Sequence, residues 1–308
     1  MLAALAGGVG AARFLCGLVG VVDPATVTAI VNTGDDDEFH GLWVCPDLDS
    51  VTYALAGANN PETGWGLAGE SFHTIDALDR YGAPTWFRLG DRDLATHLHR
   101  TRLLAEGVTL SEVTARLASD LGARHRVRPM SDQPVRTRLL GPDGWLTFQE
   151  YFVREKTQVE VREVEYTGAA AAAPAPGLLE AILEADAVIV CPSNPVTSIG
   201  PILAVPGIAD TLEASRATVL AVSPIIGGAA VSGPAGRLMA MRGLEVSALG
   251  VAAAYAPWLD LLVIDQIDAG LAPRFEANGV RPIVADIVMR GLQEEVALAE
   301  RVLAAALV

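Results

Sequence analysis

The feature that most constrains this chain is a repeated alternation of short apolar runs and helical patterns. The runs have the length of strands and are apolar almost throughout, and they are LAALA (Leu2–Ala6), VTAIVNT (Val27–Thr33), AVIVC (Ala187–Cys191), TVLAVS (Thr218–Ser223) and LLVID (Leu261–Asp265). Strands that are buried on both faces and separated by helices are typical of a parallel sheet with helices on each side. We therefore predict an α/β fold built on a doubly wound, Rossmann-like parallel sheet.

The middle of the chain has a different pattern. The segments VRTRLL, WLTFQEYFV and QVEVREVEY alternate polar and apolar residues, and the turn sequence GPDG separates the first two, which predicts antiparallel strands. We therefore expect a single domain over residues 1–308, with a core of about 1–125 and 177–308 and an inserted antiparallel β/helical subdomain at about 126–176. Helical periodicity predicts helices over Ala11–Leu18, Leu48–Leu55, Ser71–Arg80, Leu94–Leu104, Ser111–Leu121 and Gly291–Ala306.

Charge and cysteine content exclude several classes of function. The chain has 22 basic and 37 acidic residues and a formal net charge of −15, whereas a nucleic-acid groove needs a basic surface. Three scattered cysteines, Cys16, Cys45 and Cys191, predict neither a disulfide framework nor a zinc cluster. Lys156 is the only lysine and lies in no Gly-x-x-x-x-Gly-Lys motif, which excludes an ordinary P-loop NTPase.

The sequence also carries expectations about location and assembly. The chain does not begin with a basic segment, an apolar core and a cleavage site, so we expect no signal peptide. Proline and glycine interrupt the most apolar stretch, TVLAVSPIIGGAAVSG, well short of the ~18–20 residues of a membrane span. We therefore expect a cytoplasmic protein without a membrane partner. The apolar balance is compatible with a homodimer, which we also expect.

Ligands of doubly wound sheets bind outside the carboxyl ends of the strands, so the turns after the predicted strands are candidate sites. The first of these turns is Gly7-Gly8-Val9-Gly10. Glycines at this place let backbone N–H groups approach a phosphate at the N-terminus of a helix. A tight strand-to-helix turn explains the same glycines, and Arg13 stands where the dinucleotide fingerprint has its third glycine.

Four acidic residues follow the second predicted strand, in the sequence NTGDDDE. Carboxylates gathered at the end of a strand repel one another unless a cation lies between them. A hard divalent cation, held by one or two carboxylates and by substrate phosphates, fits this pattern. We expect Asp37 and Glu38 to lie in a solvated loop, and Asp35 and Asp36 are the candidate ligands.

Two further clusters carry charged residues. In the sequence CPDLD we predict that Asp47 caps the helix, which leaves Asp49 available for chemistry. The sequence RLGDRD alternates in charge, as a self-paired surface loop also does. His97 and His99 lie two residues apart on a predicted helix and so point to different faces, which excludes their binding one metal together.

Two late loops are rich in hydroxyl, amide and glycine groups and poor in charge. PSNPVTSIGP follows the strand AVIVC, and SPIIGG follows the apolar part of TVLAVS. Such loops bind phosphates and nucleobases through backbone N–H groups and neutral donors. Turn formation explains part of the same composition.

Taken together, nine segments resemble the 2-phospho-L-lactate transferase / phosphoenolpyruvate transferase family of deazaflavin coenzyme F(420) biosynthesis. They are GGVGAARFL, VNTGDD, CPDLDS, LGDRDLATH, PMSDQPVRT, FQEYFV, CPSNPVTSIGPIL, VSPIIGGAAVSGPAG and LGVAAAY, and they extend from the start of the chain to near its closing helix. The resemblance implies transfer of a phosphoryl-linked lactate or enolpyruvate from its guanosine diphosphate adduct to the ribityl hydroxyl of the deazariboflavin Fo. GMP is the implied leaving group, and Mg²⁺ is the implied cofactor.

The resemblance also implies roles for individual residues. The acid of Pro-Asp-Leu-Asp that contacts Fo falls on Asp49, and the basic residue before Leu-Gly-Asp-Arg falls on Arg88. We expect Asp49 to orient the attacking hydroxyl and Arg92 to neutralise charge on the transferring group. Asp36, with Asp35 or Asp49, is the expected Mg²⁺ site. The expected phosphate and guanosine contacts are Gly7, Gly8, Gly10, Ser193, Asn194, Ile226, Gly227 and Gly228.

Two other functions stay open on the sequence. An NAD-dependent dehydrogenase shares the glycine turn and the acids after the second strand, but it gives the other loops no role. A non-catalytic nucleotide-binding regulator of the gluconeogenesis-factor type shares the glycine turn and the order of the elements. Such a regulator does not need both Asp49 and the loop RLGDR.

Overall fold

The structure is a computed structural model that describes residues 1–307. In chain order its strands are β1 (Leu2–Ala6), β2 (Val27–Val31), β3 (Asp37–Phe39), β4 (Leu42–Val44), β5 (Arg126–Pro129), β6 (Arg136–Gly141), β7 (Gly144–Thr147), β8 (Glu163–Thr167), β9 (Ala187–Val190), β10 (Thr218–Val222), β11 (Ile225–Ile226), β12 (Ala229–Ala230), β13 (Leu261–Asp265) and β14 (Arg281–Ala285). The helices are α1 (Gly8–Val19), α2 (Pro46–Leu55), α3 (His73–Arg80), α4 (Asp93–Ala105), α5 (Leu110–Asp120), α6 (Leu178–Leu183), α7 (Gly200–Ala204), α8 (Ile208–Ala214), α9 (Ala235–Met241), α10 (Ala248–Tyr255), α11 (Ala272–Glu276) and α12 (Leu292–Ala306).

A parallel sheet forms the centre of the described residues, with seven strands in the order β14-β13-β10-β9-β1-β2-β5. The chain first moves outward from β1 through β2 to β5, and later places β9, β10, β13 and β14 on the other side of β1. The direction of winding therefore reverses between β1 and β9, where Leu5 pairs with Val190. The predicted α/β, doubly wound sheet is confirmed. Its reversal point marks the crevice in which ligands of such sheets bind.

The strands are apolar almost throughout because both faces of the sheet are covered. Successive side chains of a strand point to opposite faces. Leu5 and Ile30 pack in one cluster with residues of α6, α8, α9 and α10, whereas Ala4 and Val31 pack in a second cluster with residues of α1, α2 and α12. The second cluster fixes α1 behind the glycine turn. There α1 approaches α12 so closely that a Cβ on Gly17 would lie 2.1 Å from the Glu295 carbonyl oxygen.

The antiparallel segment is a three-stranded sheet in the order β7-β6-β8, and the GPDG turn joins β6 to β7 as predicted. Two parts of the prediction are wrong. Arg126–Pro129 does not begin the insert but forms β5, the edge strand that runs parallel to β2. Because an edge strand has a single neighbour, its pattern is less apolar and resembles an antiparallel strand. Glu150–Arg154 is a π-helical turn rather than strand. The division into core and insert stays a prediction.

Several boundaries differ from the predicted ones. Helix α1 begins at Gly8 rather than at Ala11, and β2 ends at Val31, so the two residues after it lie in a loop. The hairpin of β3 and β4 was not predicted, nor was β14 at the opposite edge of the sheet from β5. Within residues 1–307 no single helix has the length and apolar composition to span a membrane. The helical segments Pro195–Ala204 and Ile208–Ala214 have that length and composition only when they are counted together, and they are bent by 87° relative to each other.

Candidate active site

The loops after β1 and β9 meet at the point where the winding of the sheet reverses. The Ser193 hydroxyl donates a hydrogen bond to the Gly7 carbonyl oxygen at 2.9 Å. A Cβ on Gly10 would lie only 2.5 Å from the Pro192 carbonyl oxygen, so this close approach of α1 requires glycine. Gly8 opens α1 with φ +76°, in the left-handed region that favours glycine. The first turn of α1 thus has its N–H groups at the crevice, where they suit an anion.

Asp47 does not cap α2, and the sequence-based prediction of this role is wrong. Helix α2 begins at Pro46 without a side-chain cap, and the Asp47 carboxylate is buried instead. It accepts a hydrogen bond from Asn32 Nδ2 at 2.9 Å, and a Cβ on Gly7 would lie only 2.8 Å from Asp47 Oδ2. The buried amide of Asn32 supplies a hydrogen bond that partly offsets the cost of burying this carboxylate. Burial raises the pKa of Asp47, and the hydrogen bond from Asn32 opposes this shift.

Asp35 and Asp36 are buried behind the loop that follows β2, with exposed fractions of 5% and 1%. Among the described residues, no N–H or O–H group donates to either carboxylate oxygen of Asp36 or to Oδ1 of Asp35, and the Cys45 thiol is close enough to Asp36 to interact with it. Burial raises the pKa of Asp36 to about 7 although Arg136 attracts its charge, and burial together with the charge of Asp47 raises the pKa of Asp35. Buried oxygens without partners are uncommon in native proteins, and hard oxygen donors of this kind suit a divalent cation.

Asp49 is held by a guanidinium that the sequence analysis did not identify. Arg100 of α4 donates hydrogen bonds to both carboxylate oxygens of Asp49. The distance from Arg100 Nη1 to Asp49 Oδ2 is 3.1 Å. The same Nη1 lies 3.2 Å from His97 Nδ1, which must accept, because a guanidinium has only donors. His97 Nε2 in turn lies 3.2 Å from Asp93 Oδ2, and the Tyr53 hydroxyl donates to Asp93 Oδ1 at 2.5 Å. Asp49 is therefore the end of a buried polar chain.

Asp49 also belongs to a group of side chains that could hold a metal ion. One donor atom from each of Asp49, Asp93 and His97 lies within 4.8 Å of the others. In this group Arg100 already binds Asp49 and Tyr53 binds Asp93, whereas Asp36 has no such partner in the part of the chain that the structure describes. A signal for the chain of α4 residues was present in the sequence. Positions 93, 97 and 100 recur at i, i+4 and i+7, which places them on one face of a helix.

Arg88 and Arg92 lie beside a separate cavity of about 430 Å³. Arg88 donates to Asp76 at 2.9 Å, and its guanidinium lies 4.7 Å from the centre of the Phe72 ring. Arg92 donates to the carbonyl oxygen of Ala68. Neither arginine is in contact with the carboxylates of Asp35, Asp36 or Asp49. The cavity is lined by Asn60, Pro61, Glu62, Thr63, Trp65, Gly66, Leu67, Ala68, Gly69, Glu70, Phe72, Gly90 and Asp93. Asp93 joins the cavity to the buried polar chain.

The two late loops are held by their own hydrogen bonds. Asn194 Oδ1 accepts from the Val196 N–H at 2.9 Å and so caps the turn at Pro195–Ile199. The Gly227 N–H donates to the Asp268 carboxylate, with a shortest distance of 3.0 Å, and so is already used. Gly227 lies in the β11–β12 hairpin together with Ile226 and Gly228. The φ angle of Gly228 is +80°.

Neutral donors also gather at this edge of the sheet. The hydroxyls of Thr33, Thr137 and Thr197 are buried without a hydrogen-bond partner among residues 1–307. Asn32 Nδ2 contacts the Thr197 carbonyl oxygen at 3.2 Å as well as Asp47, and so it ties the loop after β2 to the loop after β9. The structure thus brings Gly7 and Ser193 together with the buried acids Asp47 and Asp35 at this edge of the sheet, and adds three hydroxyls that the sequence analysis missed.

Comparisons with known proteins agree with this arrangement. The sequence profile of the family described as 2-phospho-L-lactate transferase CofD matches residues 2–303. A phosphoenolpyruvate transferase of Streptomyces griseus is 44% identical over 305 residues, which cover 97% of this chain and 96% of that protein. One from Thermobifida fusca is 46% identical over 279 residues, 86% of each chain. A 2-phospho-L-lactate transferase of Methanosarcina barkeri is 40% identical over 296 residues, 96% of this chain and 95% of that protein.

A solved structure supports the fold alone. It is a member of the UPF0052 family from Bacillus halodurans, with a TM-score of 0.63, 18% sequence identity and coverage of 98% of both chains. The family profile and the full-length relatives, by contrast, match the sequence itself, so this chain belongs to the 2-phospho-L-lactate transferase CofD family.

Proposed function

We propose that this protein transfers a phosphoryl-linked three-carbon acid from its guanosine diphosphate adduct to the ribityl hydroxyl of the deazariboflavin Fo. The products are GMP and the dehydro or saturated form of coenzyme F(420)-0. The observation that carries the proposal is the crevice between β1 and β9. There the glycine turn lies against the Asp47 carboxylate, and the neighbouring Asp35 and Asp36 have buried oxygens without partners among the described residues. Such a crevice suits a diphosphate with a cation, and membership of the transferase family supports this chemistry.

In the proposed reaction the ribityl oxygen forms a bond to the phosphorus that carries the acid, and the bond from that phosphorus to the GMP oxygen breaks. Asp49 accepts the hydrogen bond of the attacking hydroxyl and takes its proton. Arg100 restricts the Asp49 carboxylate to one orientation, since it binds both oxygens. Phosphoryl transfer depends on positioning and charge neutralisation more than on covalent catalysis, so a rigidly held carboxylate fits the task.

Mg²⁺ is the cofactor that we propose, and when bound it neutralises charge on the phosphoryl oxygens. The residues proposed to hold it are Asp36 with Asp35 or Asp49. Asp36 fits because its two oxygens are buried and have no partner within the described chain. The group of Asp49, Asp93 and His97 is the alternative, although its carboxylates are already bound by Arg100 and Tyr53.

The proposed position of Fo follows from the cavity beside Arg88 and Arg92. Trp65 and Phe72 give part of its wall aromatic character, which suits a flat ring system. Asp93 lies in the same wall and leads through the buried polar chain toward Asp49. Gly7, Gly8 and Gly10 are proposed for the diphosphate. Ser193, Asn194 and Ile226–Gly228 are proposed for the guanosine, with the Gly227 N–H left to Asp268.

Enolpyruvate is the acid that we propose for this chain. The two phosphoenolpyruvate transferases described above share more sequence identity with it than the 2-phospho-L-lactate transferase does. Both acids would need the same phosphorus chemistry, so this choice does not change the roles given to Asp49 or Asp36. The homodimer and the cytoplasmic location stay predictions.

The test is to incubate the protein with Fo, Mg²⁺ and either the enolpyruvyl or the lactyl guanosine diphosphate adduct, and to analyse the product by mass spectrometry. The expected product is the enolpyruvyl phosphodiester, and a lactyl product would be two hydrogens heavier. Asp49→Asn should abolish turnover, whereas the exposed Asp286→Asn should not. Absence of a phosphodiester from both adducts at high enzyme concentration would favour the nucleotide-binding regulator, and binding of NAD without Fo would favour the dehydrogenase.

A further inference from the structure

The antiparallel insert touches the acid loop through the first residues of β6. The Thr137 N–H donates to the Gly34 carbonyl oxygen at 2.7 Å. A Cβ on Gly34 would lie 2.6 Å from Thr137 Oγ1, so the two segments approach as closely as glycine allows. This contact places Arg136, the residue before Thr137, at the edge of the crevice that holds Asp35 and Asp36.

The guanidinium of Arg136 is fixed in place but is not neutralised by a carboxylate. It lies 4.6 Å from the centre of the Trp43 ring, and its Nη1 donates to the Val135 carbonyl oxygen at 2.8 Å. Its charge opposes the burial that raises the pKa of both Asp35 and Asp36, so it lies within electrostatic reach of them. Within residues 1–307, however, it forms no ion pair with them or with another acid.

Two other arginines of the neighbouring helices already have acidic partners, since Arg100 binds Asp49 and Arg13 binds Glu295. Arg138, two residues along β6, forms no ion pair within the described chain, but it does not have the aromatic contact that holds Arg136. Arg136 is half-buried and held by an aromatic ring, which keeps the planar donor fork in one orientation at little entropic cost. Such a fork matches a carboxylate, to which it donates two parallel hydrogen bonds.

The proposed donor substrate has one anionic group for which the crevice residues described so far provide no partner. Its phosphates have the amides of the glycine turn and the proposed cation, whereas the carboxylate of the three-carbon acid needs a cationic partner of its own. We propose that Arg136 binds this carboxylate, so that the insert supplies the residue that distinguishes an acid from a neutral group. The inference rests on the proposed function, because the carboxylate belongs to its donor substrate.

A different role for Arg136 is to balance the charge of Asp35 and Asp36 without touching substrate. The two roles differ in what they do to a donor that lacks the negative charge. Loss of a counter-charge lowers transfer from every donor to the same extent, since it disturbs the acid loop itself. Loss of a carboxylate contact lowers transfer only from donors that carry a carboxylate.

The experiment compares the enolpyruvyl donor with its carboxamide analogue, in which the carboxylate is replaced by a neutral amide. The wild-type protein should prefer the acid in kcat/KM by about 10–100-fold, the range of a hydrogen-bonded ion pair. Arg136→Gln should lower kcat/KM for the acid by a similar factor and leave the amide nearly unchanged. Arg162→Gln, an exposed arginine of the same insert, should keep the full preference.

Arg136→Lys is the second variant, because it keeps the positive charge and removes the planar fork. It should also lose most of the preference for the acid, and circular dichroism melting checks that each variant is folded. An equal fall for both donors, or a preserved preference in folded Arg136→Gln, would overturn the inference alone. Failure of the wild-type protein to transfer the acid would instead overturn the proposed function, and the inference with it.

Discussion

Arg100 donates hydrogen bonds to both carboxylate oxygens of Asp49, and this pair joins α4 to α2 inside the protein. The two side chains are almost fully buried, and the Trp43 carbonyl oxygen and His97 Nδ1 surround the guanidinium. Burial lowers the pKa of Arg100, but attraction to Asp49 outweighs it, so that pKa lies above its usual range. The orientation of the residue proposed to receive the hydroxyl proton thus depends on a partner 51 residues away.

Removal of the Arg100 guanidinium should destabilise the protein strongly, because it leaves a buried carboxylate unpaired. We expect Arg100→Met to lower the free energy of unfolding by about 3–5 kcal/mol, as measured by urea denaturation. The matched control is Arg290→Met, which breaks an exposed ion pair with Asp286 and should cost less than ~1 kcal/mol. Equal losses in the two variants would show that Arg100 is not the structural partner of Asp49.

The stability of the metal-free protein should fall as the pH rises. The pKa of Asp36 is about 7 in the folded protein and ~3.9 in an unfolded chain, so the folded state binds more protons between these values. The stabilising protonation is complete below about pH 4 and is lost as the pH passes 7. The difference is on the order of 4 kcal/mol for this group, and Asp35 and Asp47, whose pKa values are also raised, act in the same direction.

Urea unfolding in EDTA between pH 5.5 and 8 measures this effect. Asp36→Asn should flatten the dependence on pH, because the amide has no charge to bury. Glu38→Gln, an exposed neighbour in β3, should leave the dependence as it is in the wild type. A wild-type protein whose stability rises over this range would contradict the assigned burial of Asp36.

A methyl group at Gly10 should impair the diphosphate site. Its Cβ would lie 2.5 Å from the Pro192 carbonyl oxygen, so α1 and the loop after β9 would have to separate. We expect Gly10→Ala to weaken binding of GDP by on the order of 10–100-fold, measured by isothermal titration calorimetry, since the glycine turn would be displaced. Gly270→Ala is the control, because no atom lies within 4 Å of its Cβ. Unchanged GDP affinity in folded Gly10→Ala would place the nucleotide elsewhere.

Local sequence patterns predicted those elements of the fold in which the immediate surroundings of each residue restrict its type. The apolar runs gave β1 and β13 at their observed bounds, because strands covered on both faces are apolar at every position. The edge strands β5 and β14 have one neighbour each, so their composition is mixed, and β5 was assigned to the insert while β14 was not predicted. The glycine turn was predictable because its conformation and close contacts restrict residue type locally.

The partners of the site residues were harder to predict because they come from distant segments. Aspartate is a common residue at the start of a helix, so the local sequence around Asp47 predicts a cap. The buried position of Asp47 depends instead on its hydrogen bond with Asn32, which lies beside it only after β2 and α2 pack together. The spacing of His97 and Arg100 placed both on one face of α4, but the helix pattern does not say that this face meets Asp49. Tertiary contacts therefore decide which acids are paired and which are left for a ligand.

The two candidate metal sites are Asp36 with Asp35 or Asp49, and the group of Asp49, Asp93 and His97, and variants of Asp36 and His97 can separate them. Asp36 has two buried oxygens without partners among the described residues, so we propose it as a direct ligand of Mg²⁺. Loss of a residue that only supports a ligand weakens a metal site by ~10–100-fold. Asp36→Asn should therefore raise the Mg²⁺ concentration for half-maximal activity by at least that factor. His97→Gln should leave Mg²⁺ affinity within about twofold and lower kcat instead, because it loosens Arg100 rather than removing a ligand. Calorimetric titration with Mg²⁺ in the presence of GDP measures both affinities. If His97→Gln weakens Mg²⁺ binding and Asp36→Asn does not, the ion is held by Asp49, Asp93 and His97.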